Sequence, residues 1–185
     1  MKILMHLCCG PCTISPLLSL REQGLAVQGF FFNPNIHPFR EFRQRLATLE
    51  DLCRRMDLPV EYEREYGLRE YLRQVVFHEE ERCGRCYAMR LAAAARKALA
   101  VRADAFTTTL LYSRHQNHDS IRGIGEALAT ELRIPFFYED FRSGWQQGID
   151  LAREMGLYRQ PYCGCIYSEQ ERYDRGYGKR KKKGG

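Results

Sequence analysis

Five apolar stretches rich in β-branched and aromatic residues alternate along this chain with segments of helical periodicity. Their sequences are KILMHL, VQGFFF, PVEYE, AFTTTLL and IPFFYE. This alternation predicts an α/β fold, in which a mainly parallel sheet is flanked by helices. The first, second and fifth stretches are almost continuously apolar, which is typical of strands buried on both faces. A chain of 185 residues can bury one sizeable core of this kind.

Composition and charge indicate one folded domain followed by a basic tail. Hydrophobic residues make up 44% of the chain, and no apolar run is long enough to span a bilayer. The N-terminal segment lacks the features of a secretory signal, so we expect a cytoplasmic protein without membrane contact. We expect a single α/β domain over residues 1–175 and a disordered tail over 176–185. The tail run Lys179–Lys183 supplies five of the six net positive charges and suits either solvation or weak phosphate attraction.

Helix signals separate the apolar stretches. Ser15 followed by Pro16 resembles an N-cap with proline at the first helical position, so we expect a helix to begin there. Apolar residues at three- and four-residue steps predict a second helix over 39–56, on which Cys53 is a buried hydrophobe. The alanine-rich segment that begins at Cys86 predicts a third helix, and the apolar stripe over residues 121–132 predicts a fourth.

Polar and thiol-bearing loops follow the predicted strands. In open α/β sheets, ligands bind beyond the carboxyl ends of the strands. Those positions hold CCGPC after the first stretch, NPNIHP after the second, YSRHQNH after the fourth and ED after the fifth. We therefore expect the functional site at this edge of the sheet.

Eight cysteines require an explanation, because a cytoplasmic chain keeps its thiols mostly reduced. A permanent disulfide framework is disfavoured for that reason, and a closed zinc site would use four thiolates and leave three over. Iron–sulfur clusters typically take four cysteine thiolates, which two close groups plus a C-x-C pair can provide. Without Cys53, the thiols form three groups: Cys8, Cys9 and Cys12; Cys83 and Cys86; Cys163 and Cys165.

Two of these groups have distinct chemistry. Cys83 and Cys86 begin a predicted helix on one face, where the positive helix end and flanking arginines favour thiolates. Only Gly164 separates Cys163 from Cys165, so a bond between these two would close a small ring that is easily reduced. That spacing suits a transient redox pair, and it equally suits two ligands of a second metal.

Polar residues near the strand ends have competing explanations. Asn35 and His37 lie in a loop that substrate could reach, yet turn and helix-start roles explain them equally well. Asp140 follows the fifth stretch and could bind a metal, donate a proton or pair with Arg142. His6 lies inside the first strand and is expected to be a satisfied core histidine.

Six motifs in order resemble the epoxyqueuosine reductase (QueH) family. They are HLCCGPC, FFFNPNIHP, ERCGRCYAMRL, FTTTLLYS, YEDFRSGW and YRQPYCGCIYS, and they cover nearly the whole chain before the basic tail. The resemblance implies a Rossmann-like (HUP-like) fold with a metal site at the carboxyl ends of the strands. It also implies the last step of queuosine synthesis, in which the epoxide oxygen of epoxyqueuosine in tRNA is removed to leave a cyclopentene. The implied cofactors are a [4Fe-4S] cluster and a second, mononuclear iron, without cobalamin.

The resemblance also assigns roles, motif by motif. The implied cluster ligands are Cys8, Cys9, Cys83 and Cys86. The resemblance implies that Cys163 and Cys165 are either a redox pair or ligands of the second iron. Cys12 and Asp140 are further candidates for binding that iron. The catalytic residues on this interpretation are Cys163, Cys165 and Asp140.

The implied reaction and partners suggest further residues. Deoxygenating an epoxide consumes two electrons, whereas a [4Fe-4S] cluster passes them singly, so a second iron or the C-x-C dithiol must serve as another store. A proton could come from Asp140, His37 or Tyr112. The partners are the tRNA anticodon loop, whose unpaired bases stack on aromatic or arginine side chains, and an unidentified electron donor. We expect substrate contacts from Asn35, His37, Arg40, Tyr112 and Arg159.

Two other functions are compatible with the same residues. The thiols could stabilise a zinc-containing RNA-binding module, or they could serve a metal-free thiol–disulfide oxidoreductase. Iron content separates these alternatives from an iron–sulfur enzyme.

Overall fold

A parallel sheet of four strands organises residues 1–176, which are the residues described by the computed structural model. The strands are β1 (Lys2–His6), β2 (Ala26–Phe31), β3 (Val60–Tyr62) and β4 (Ala105–Thr108), in the order β3-β2-β1-β4. The helices are α1 (Gly10–Glu22), α2 (Phe39–Arg55), α3 (Leu68–Val75), α4 (Arg82–Ala100), α5 (His118–Leu132), α6 (Trp145–Glu154) and α7 (Ile166–Tyr173). The expected α/β architecture is confirmed.

The order of the strands creates a crevice at one edge of the sheet. The chain proceeds outward from β1 to β2 and β3, then crosses back to place β4 on the other side of β1. Connections between parallel strands are right-handed as a rule, and with this strand order that rule puts α1 and α2 on one face and α4 on the opposite face. α4 packs against β1 and β4, and α1 packs against α2. The carboxyl ends of β1 and β4 therefore flank a topological switch point, which is where open α/β sheets bind ligands.

The core confirms most of the predicted helical stripes. Ile3, Leu4 and Met5 of β1 are completely buried, as expected for a central parallel strand. Cys53 is buried on α2, as the stripe predicts, while Phe39 at the start of that helix is exposed. Burial of this apolar face, rather than helix propensity alone, stabilises such helices.

The first helix begins earlier than the sequence predicts. α1 starts at Gly10, with Cys9 as its N-cap residue, and Pro16 lies inside the helix. Pro11 occupies the first turn, where the missing amide hydrogen has no intrahelical partner to lose. The expected start at Ser15 is therefore wrong, and Cys9 and Cys12 are brought together at the opening turn.

The fifth apolar stretch is not a full strand. It makes a single parallel bridge between Phe136 and Phe106, flanked by backbone hydrogen bonds to Pro135 and from Phe137. Pro135 has no amide hydrogen to extend the ladder, and the chain soon turns at Asp140, which caps a short 3-10 turn over Phe141–Gly144.

The tail prediction concerns residues that lie mostly outside the described part of the chain. Lys179–Lys183 fall within the segment after Gly176, so the structure does not test that prediction. Among residues 1–176, none of the helices is both long enough and apolar enough to cross a membrane.

Candidate functional site

A cavity of about 500 Å³ lies at the carboxyl ends of β1 and β4. Its walls come from the loop after β1, the segment after β4, and the loop over residues 159–163 that precedes α7. The side chains used below that line it are Cys8, Cys12, Asn35, Arg45, Arg90, Tyr112, Gln116, Trp145, Arg159, Gln160 and Cys163. The structure thus confirms that the polar loops after the first, second and fourth apolar stretches meet at this edge of the sheet, whereas ED after the fifth stretch does not line the cavity.

The first cysteine group forms a tight cluster. The sulfur atoms of Cys8, Cys9 and Cys12 all lie within 4.8 Å of one another. Cys9 and Cys12 are in disulfide contact, with their Cα atoms 5.5 Å apart. Their i, i+3 spacing in the opening turn of α1 puts both side chains on one face of the helix.

Side-chain donors from two other segments point at these sulfurs. Thr109, just after β4, donates its hydroxyl to Cys8 Sγ at 3.2 Å. Gln160 donates its amide to Cys9 Sγ at 2.9 Å and to Cys12 Sγ at 3.5 Å. Burial raises the pKa of the Cys8 thiol, although Arg90 and the Thr109 hydrogen bond act in the opposite direction. A thiolate at Cys8 therefore needs a further positive partner, such as a metal ion.

The second cysteine group lies at the start of α4. Cys86 is buried, and burial raises the pKa of its thiol to about 12. Arg90, one turn further along the helix, directs its Nη1 atom at Cys86 Sγ from 3.8 Å. Cys83 is exposed. The pair therefore offers one buried and one accessible thiol at the same helix end.

The third cysteine group is split by its glycine. Cys163 lines the cavity and accepts a hydrogen bond from Gln116 Nε2 at 3.4 Å. Cys165 is buried, caps α7 and packs with Tyr71, Val75 and Cys86. Neither cysteine forms a disulfide in the structure. Cys163 lies at the cavity wall, whereas Cys165 packs against Cys86 at the start of α4.

Two features hold the C-x-C loop in place. Arg45 donates from Nη1 to the Cys163 carbonyl at 2.7 Å and from Nη2 to the Tyr162 carbonyl at 2.9 Å. Gly164 has a φ of 150°, and a Cβ there would lie 3.1 Å from Asn35 Nδ2 and 3.3 Å from Arg45 Nη1. Glycine is therefore required between the two cysteines by both conformation and space.

One cysteine from each group lies near a single buried guanidinium. Cys86 Sγ is 3.8 Å from Arg90 Nη1, and Cys8 and Cys163 line the same cavity as Arg90. Burial alone would lower the pKa of Arg90, but Cys86, Cys8 and Cys163 raise it, in that order of strength. These three residues come from distant parts of the chain. The group of sulfurs within 4.8 Å of one another is Cys8, Cys9 and Cys12. That Cys83 and Cys86 share a metal centre with this group stays a prediction.

Of the predicted cysteines, Cys8, Cys12 and Cys163 line the cavity, whereas Cys9, Cys83, Cys86 and Cys165 do not. Three further predicted site residues, Asp140, His37 and Arg40, also lie away from its wall. Asp140 is not among the cavity-lining residues of the described chain; it accepts hydrogen bonds from Arg142 instead. The Arg142 hydrogen bond lowers the pKa of Asp140 to about 2, so this carboxylate has no proton to donate at neutral pH. His37 is buried, and Arg40 is exposed on the first turn of α2. The other predicted substrate residues, Asn35, Tyr112 and Arg159, do line the cavity.

His37 has a structural environment. Its Nε2 atom lies 3.0 Å from the Pro34 carbonyl, and its Nδ1 atom is buried without a partner among the described residues. Burial lowers the pKa of His37 to about 4, so the ring is neutral at pH 7. The expectation that substrate could reach this ring is corrected, because the ring is buried against Tyr66 and Tyr71.

His6 fulfils the prediction of a satisfied core histidine. Its ring nitrogens lie 2.9 Å from Thr108 Oγ1 and 3.1 Å from the Phe32 carbonyl. This histidine thus joins β1 to the ends of β2 and β4 directly beneath the cavity.

The sequence analysis missed two buried arginines, Arg45 and Arg90. Each occupies a helix face that is otherwise apolar, and Arg90 follows Cys86 by four residues. A cation on a buried stripe is the signal that could have identified them, because arginine is almost never fully buried unless it is paired.

The thiol set fits a metal centre of the iron–sulfur type. A [4Fe-4S] cluster needs four cysteine thiolates, eased by nearby hydrogen-bond donors. Five cysteines of the three groups are free thiols, Cys8, Cys83, Cys86, Cys163 and Cys165, and reduction of the Cys9–Cys12 contact adds two more. Side-chain donors directed at the sulfurs come from Thr109, Gln160, Gln116 and Arg90.

Comparison with known proteins identifies the family. The family model described as epoxyqueuosine reductase QueH matches residues 3–171. A protein named epoxyqueuosine reductase QueH from Dehalococcoides mccartyi is 38% identical over 172 residues, which cover 93% of this chain and 94% of the relative. A protein of the same name from Thermotoga maritima is 32% identical over 183 residues, covering 94% and 93%.

A solved structure supports the fold. A predicted tRNA methyltransferase subunit from Methanocaldococcus jannaschii superposes with a TM-score of 0.55 at 12% identity, covering 83% of this chain and 75% of that one. This similarity concerns the α/β architecture alone. The family match and the two relatives go further: the chain belongs to the epoxyqueuosine reductase QueH family.

Proposed function

We propose that this protein is an epoxyqueuosine reductase, which deoxygenates epoxyqueuosine in tRNA to queuosine. Family membership supports the reaction. An iron–sulfur enzyme is supported by Cys8, Cys12 and Cys163, which line one cavity, and by Cys86, which contacts Arg90 in the wall of that cavity. The cluster ligands on this proposal are Cys8, Cys9, Cys83 and Cys86. Two observations favour this assignment: the sulfurs of the first cysteine group lie close together, and the second cysteine group lies at the start of α4.

The reaction sets clear demands on the site. An epoxide that takes up two electrons and two protons yields an alkene and one water molecule. When bound, a [4Fe-4S] cluster supplies electrons one at a time. The dithiol of Cys163 and Cys165 would release two electrons and two protons on closing to a disulfide, which matches the demand. A second, mononuclear iron near Cys12 is the alternative store.

The residues of the cavity wall suit a base from an anticodon loop. Tyr112 stacks on Trp145 with ring centroids 5.1 Å apart, and Arg159 is exposed at the same wall. Unpaired bases are commonly held by aromatic and arginine side chains. Asn35 offers a buried carbonyl oxygen that has no partner among residues 1–176, so it can accept a hydrogen bond from the substrate.

Proton supply falls to groups other than Asp140. Burial raises the pKa of Tyr112 to about 12, so its hydroxyl keeps its proton at neutral pH. That hydroxyl donates to the Trp145 carbonyl at 2.9 Å, which holds it at the cavity wall. Tyr112 is therefore the proton-relay candidate that best satisfies both position and protonation. The protein would act in the cytoplasm, with tRNA and an electron donor as partners.

A second candidate function rests on the first cysteine group. CGPC at the start of α1, with Cys9 and Cys12 in disulfide contact, is the arrangement of a thiol–disulfide oxidoreductase. Such an enzyme would need no iron and would leave Cys83 and Cys86 without a role. Iron content therefore separates the two candidates.

Anaerobic purification followed by iron and sulfide analysis tests the proposal. We expect brown protein with about four iron and four sulfide per chain, or one further iron. Cys83→Ser with Cys86→Ser should remove the cluster, whereas the matched control Cys53→Ser should retain it. Activity is measured as queuosine formed in tRNA carrying epoxyqueuosine. Colourless protein that contains zinc, or iron retained in the double variant, would contradict this assignment.

A further inference from the structure

Arg90 is a charged side chain buried at the centre of the thiol site. Only 2% of its surface is exposed, and guanidinium groups stay protonated in proteins. Its Nη2 atom donates to Asn33 Oδ1 at 2.7 Å, and its Nε atom lies 3.4 Å from His6 Nε2. Both partners are uncharged side chains, because burial keeps the pKa of His6 well below its usual value.

The positive charge of Arg90 has no carboxylate partner in the described part of the chain. The ion pairs there involve other cations, including the buried pair of Arg45 with Glu41. A buried charge without a counter-charge is strongly unfavourable. The fold therefore requires a negative group near Arg90 that the carboxylates do not provide.

Thiols are the remaining source of negative charge. Cys86 Sγ lies 3.8 Å from Nη1 of Arg90, and Cys8 and Cys163 line the same cavity as the guanidinium, whose pKa they raise. When thiolates hold a metal, the centre carries net negative charge, because four thiolates exceed the charge of one divalent ion. A single cation placed among all three groups would offset this excess.

We propose that Arg90 is the charge-balancing and positioning residue of the thiol centre, stabilising thiolates from three segments when they bind metal. This inference rests on the proposed metal centre and adds a residue outside its ligand set. Asn33 orients the guanidinium, because it accepts from Arg90 while donating its own amide to the Leu7 carbonyl at 2.8 Å. The fixed charge then favours metal binding and favours the more negative, reduced state of a cluster.

Variants of the full chain separate charge from shape. Arg90→Gln removes the charge and Arg90→Lys keeps it. Asn33→Asp neutralises Arg90 with a new carboxylate, which still accepts from Arg90 but can no longer donate to the Leu7 carbonyl. Asn33→Ala loses both hydrogen bonds of Asn33 without adding charge. Arg96→Gln, exposed on the same helix, is the matched control.

The first measurement is the affinity of the reduced, metal-free chain for Co²⁺, followed by thiolate charge-transfer absorption. We expect Arg90→Gln and Asn33→Asp to weaken binding by about ten- to hundredfold, as loss of an outer partner of a metal site does. Arg90→Lys and Arg96→Gln should stay much closer to the parent, and Asn33→Ala, which removes the orienting contact but leaves the charge of Arg90 in place, should lose clearly less affinity than Asn33→Asp. Equal losses in Asn33→Asp and Asn33→Ala, or parental affinity in Arg90→Gln, would overturn the proposal. If Arg90→Gln does not fold, the two Asn33 variants decide the question.

The second measurement is the reduction potential of the iron-loaded protein. We expect a more negative potential in Asn33→Asp and Arg90→Gln than in Arg90→Lys and Arg96→Gln, because the reduced cluster loses a neighbouring positive charge. Identical potentials in all variants would contradict the inference. A parent that takes up no iron, yet binds Co²⁺ in an Arg90-dependent way, would refute the proposed iron–sulfur function and leave the role of Arg90 standing.

Discussion

Two arginines, Arg45 and Arg90, are buried next to the thiol groups, and each directs its guanidinium at a different kind of acceptor. Arg45 binds the Glu41 carboxylate at 2.6 Å and two carbonyls of the C-x-C loop. Tyr158 donates to the other oxygen of Glu41 at 2.6 Å, so the loop is joined to α2 at two points. Arg90 has thiols and an amide as its acceptors. Arg45 thus fixes a loop, whereas Arg90 offsets charge.

Replacing Arg45 should destabilise the protein substantially. Arg45→Ala leaves Glu41 buried without its cation and two carbonyls without donors, and breaking such a buried pair costs about 3–5 kcal/mol. Urea denaturation measures the change in the free energy of unfolding. The control Arg54→Ala removes a cation that is 76% exposed on the same helix and should cost no more than about 0.5 kcal/mol. Similar losses in both variants would refute the loop-anchoring role.

Burial of a neutral His37 makes stability depend on pH. Its pKa is about 4 in the folded protein and about 6.5 when unfolded, so the unfolded state binds more protons between these values. The contribution of neutral His37 to the free energy of unfolding is therefore complete above about pH 6.5, and it is lost as the pH falls towards 4. Urea denaturation at pH 7 and pH 5 should show this loss, on the order of 2 kcal/mol or less.

Matched histidine variants isolate that contribution. His37→Gln should lose less stability than the parent between pH 7 and pH 5, because the buried ring is gone. The exposed control His78→Gln should behave as the parent does. An unchanged pH dependence in His37→Gln would mean that other groups, such as the buried His6, account for the effect.

At the scale of elements, the opening turn of α1 sets the position of the first cysteine group. Gly10 lies against α2, where an added Cβ would be 3.1 Å from Thr48 Cγ2 and 3.4 Å from the Thr48 carbonyl oxygen. The neighbouring Cys9 and Cys12 move with this turn. The close approach of α1 to α2 therefore determines where these two thiols lie.

Adding a methyl group at Gly10 should disturb this contact. We expect Gly10→Ala to destabilise the protein by about 1–3 kcal/mol through overpacking, measured by urea denaturation. Thr48→Ser removes the methyl group that is struck and should recover part of the loss in the double variant. Gly84→Ala is the control, because a Cβ there meets nothing within 4 Å and alanine favours a helix by about 0.4–1 kcal/mol. Destabilisation by Gly84→Ala as large as that by Gly10→Ala would contradict the argument.

The elements also show what sequence patterns can predict. Strands β1, β2 and β4 and the stripe of α2 were predictable because burial imposes a period on the chain. The start of α1 was mispredicted because two prolines, Pro11 and Pro16, both suit a first turn, and only packing selects Pro11. The fifth stretch resembles a strand by composition, but Pro135 limits it to one bridge. Where two local sequence signals compete in this way, tertiary contacts determine which structure forms.

At the scale of the whole molecule, strand order accounts for the position of the site. The order β3-β2-β1-β4 puts the CCGPC loop beside the segment after β4, and Thr109 consequently reaches Cys8. The sequence predicted that the site lies at this edge of the sheet, because the carboxyl ends of parallel strands meet at one edge. It did not predict which thiols meet, because Cys83, Cys86 and the C-x-C loop are positioned by helix packing and by Arg45.

The central claim is that thiols from separate segments hold one iron–sulfur centre, and anomalous diffraction at the iron edge tests it most directly. Crystals of the anaerobically purified protein should show a group of iron atoms bonded at once to sulfurs of the first cysteine group and to Cys83 and Cys86. Iron bonded only within a single cysteine group, or no anomalous signal in protein that reduces epoxyqueuosine, would contradict the account.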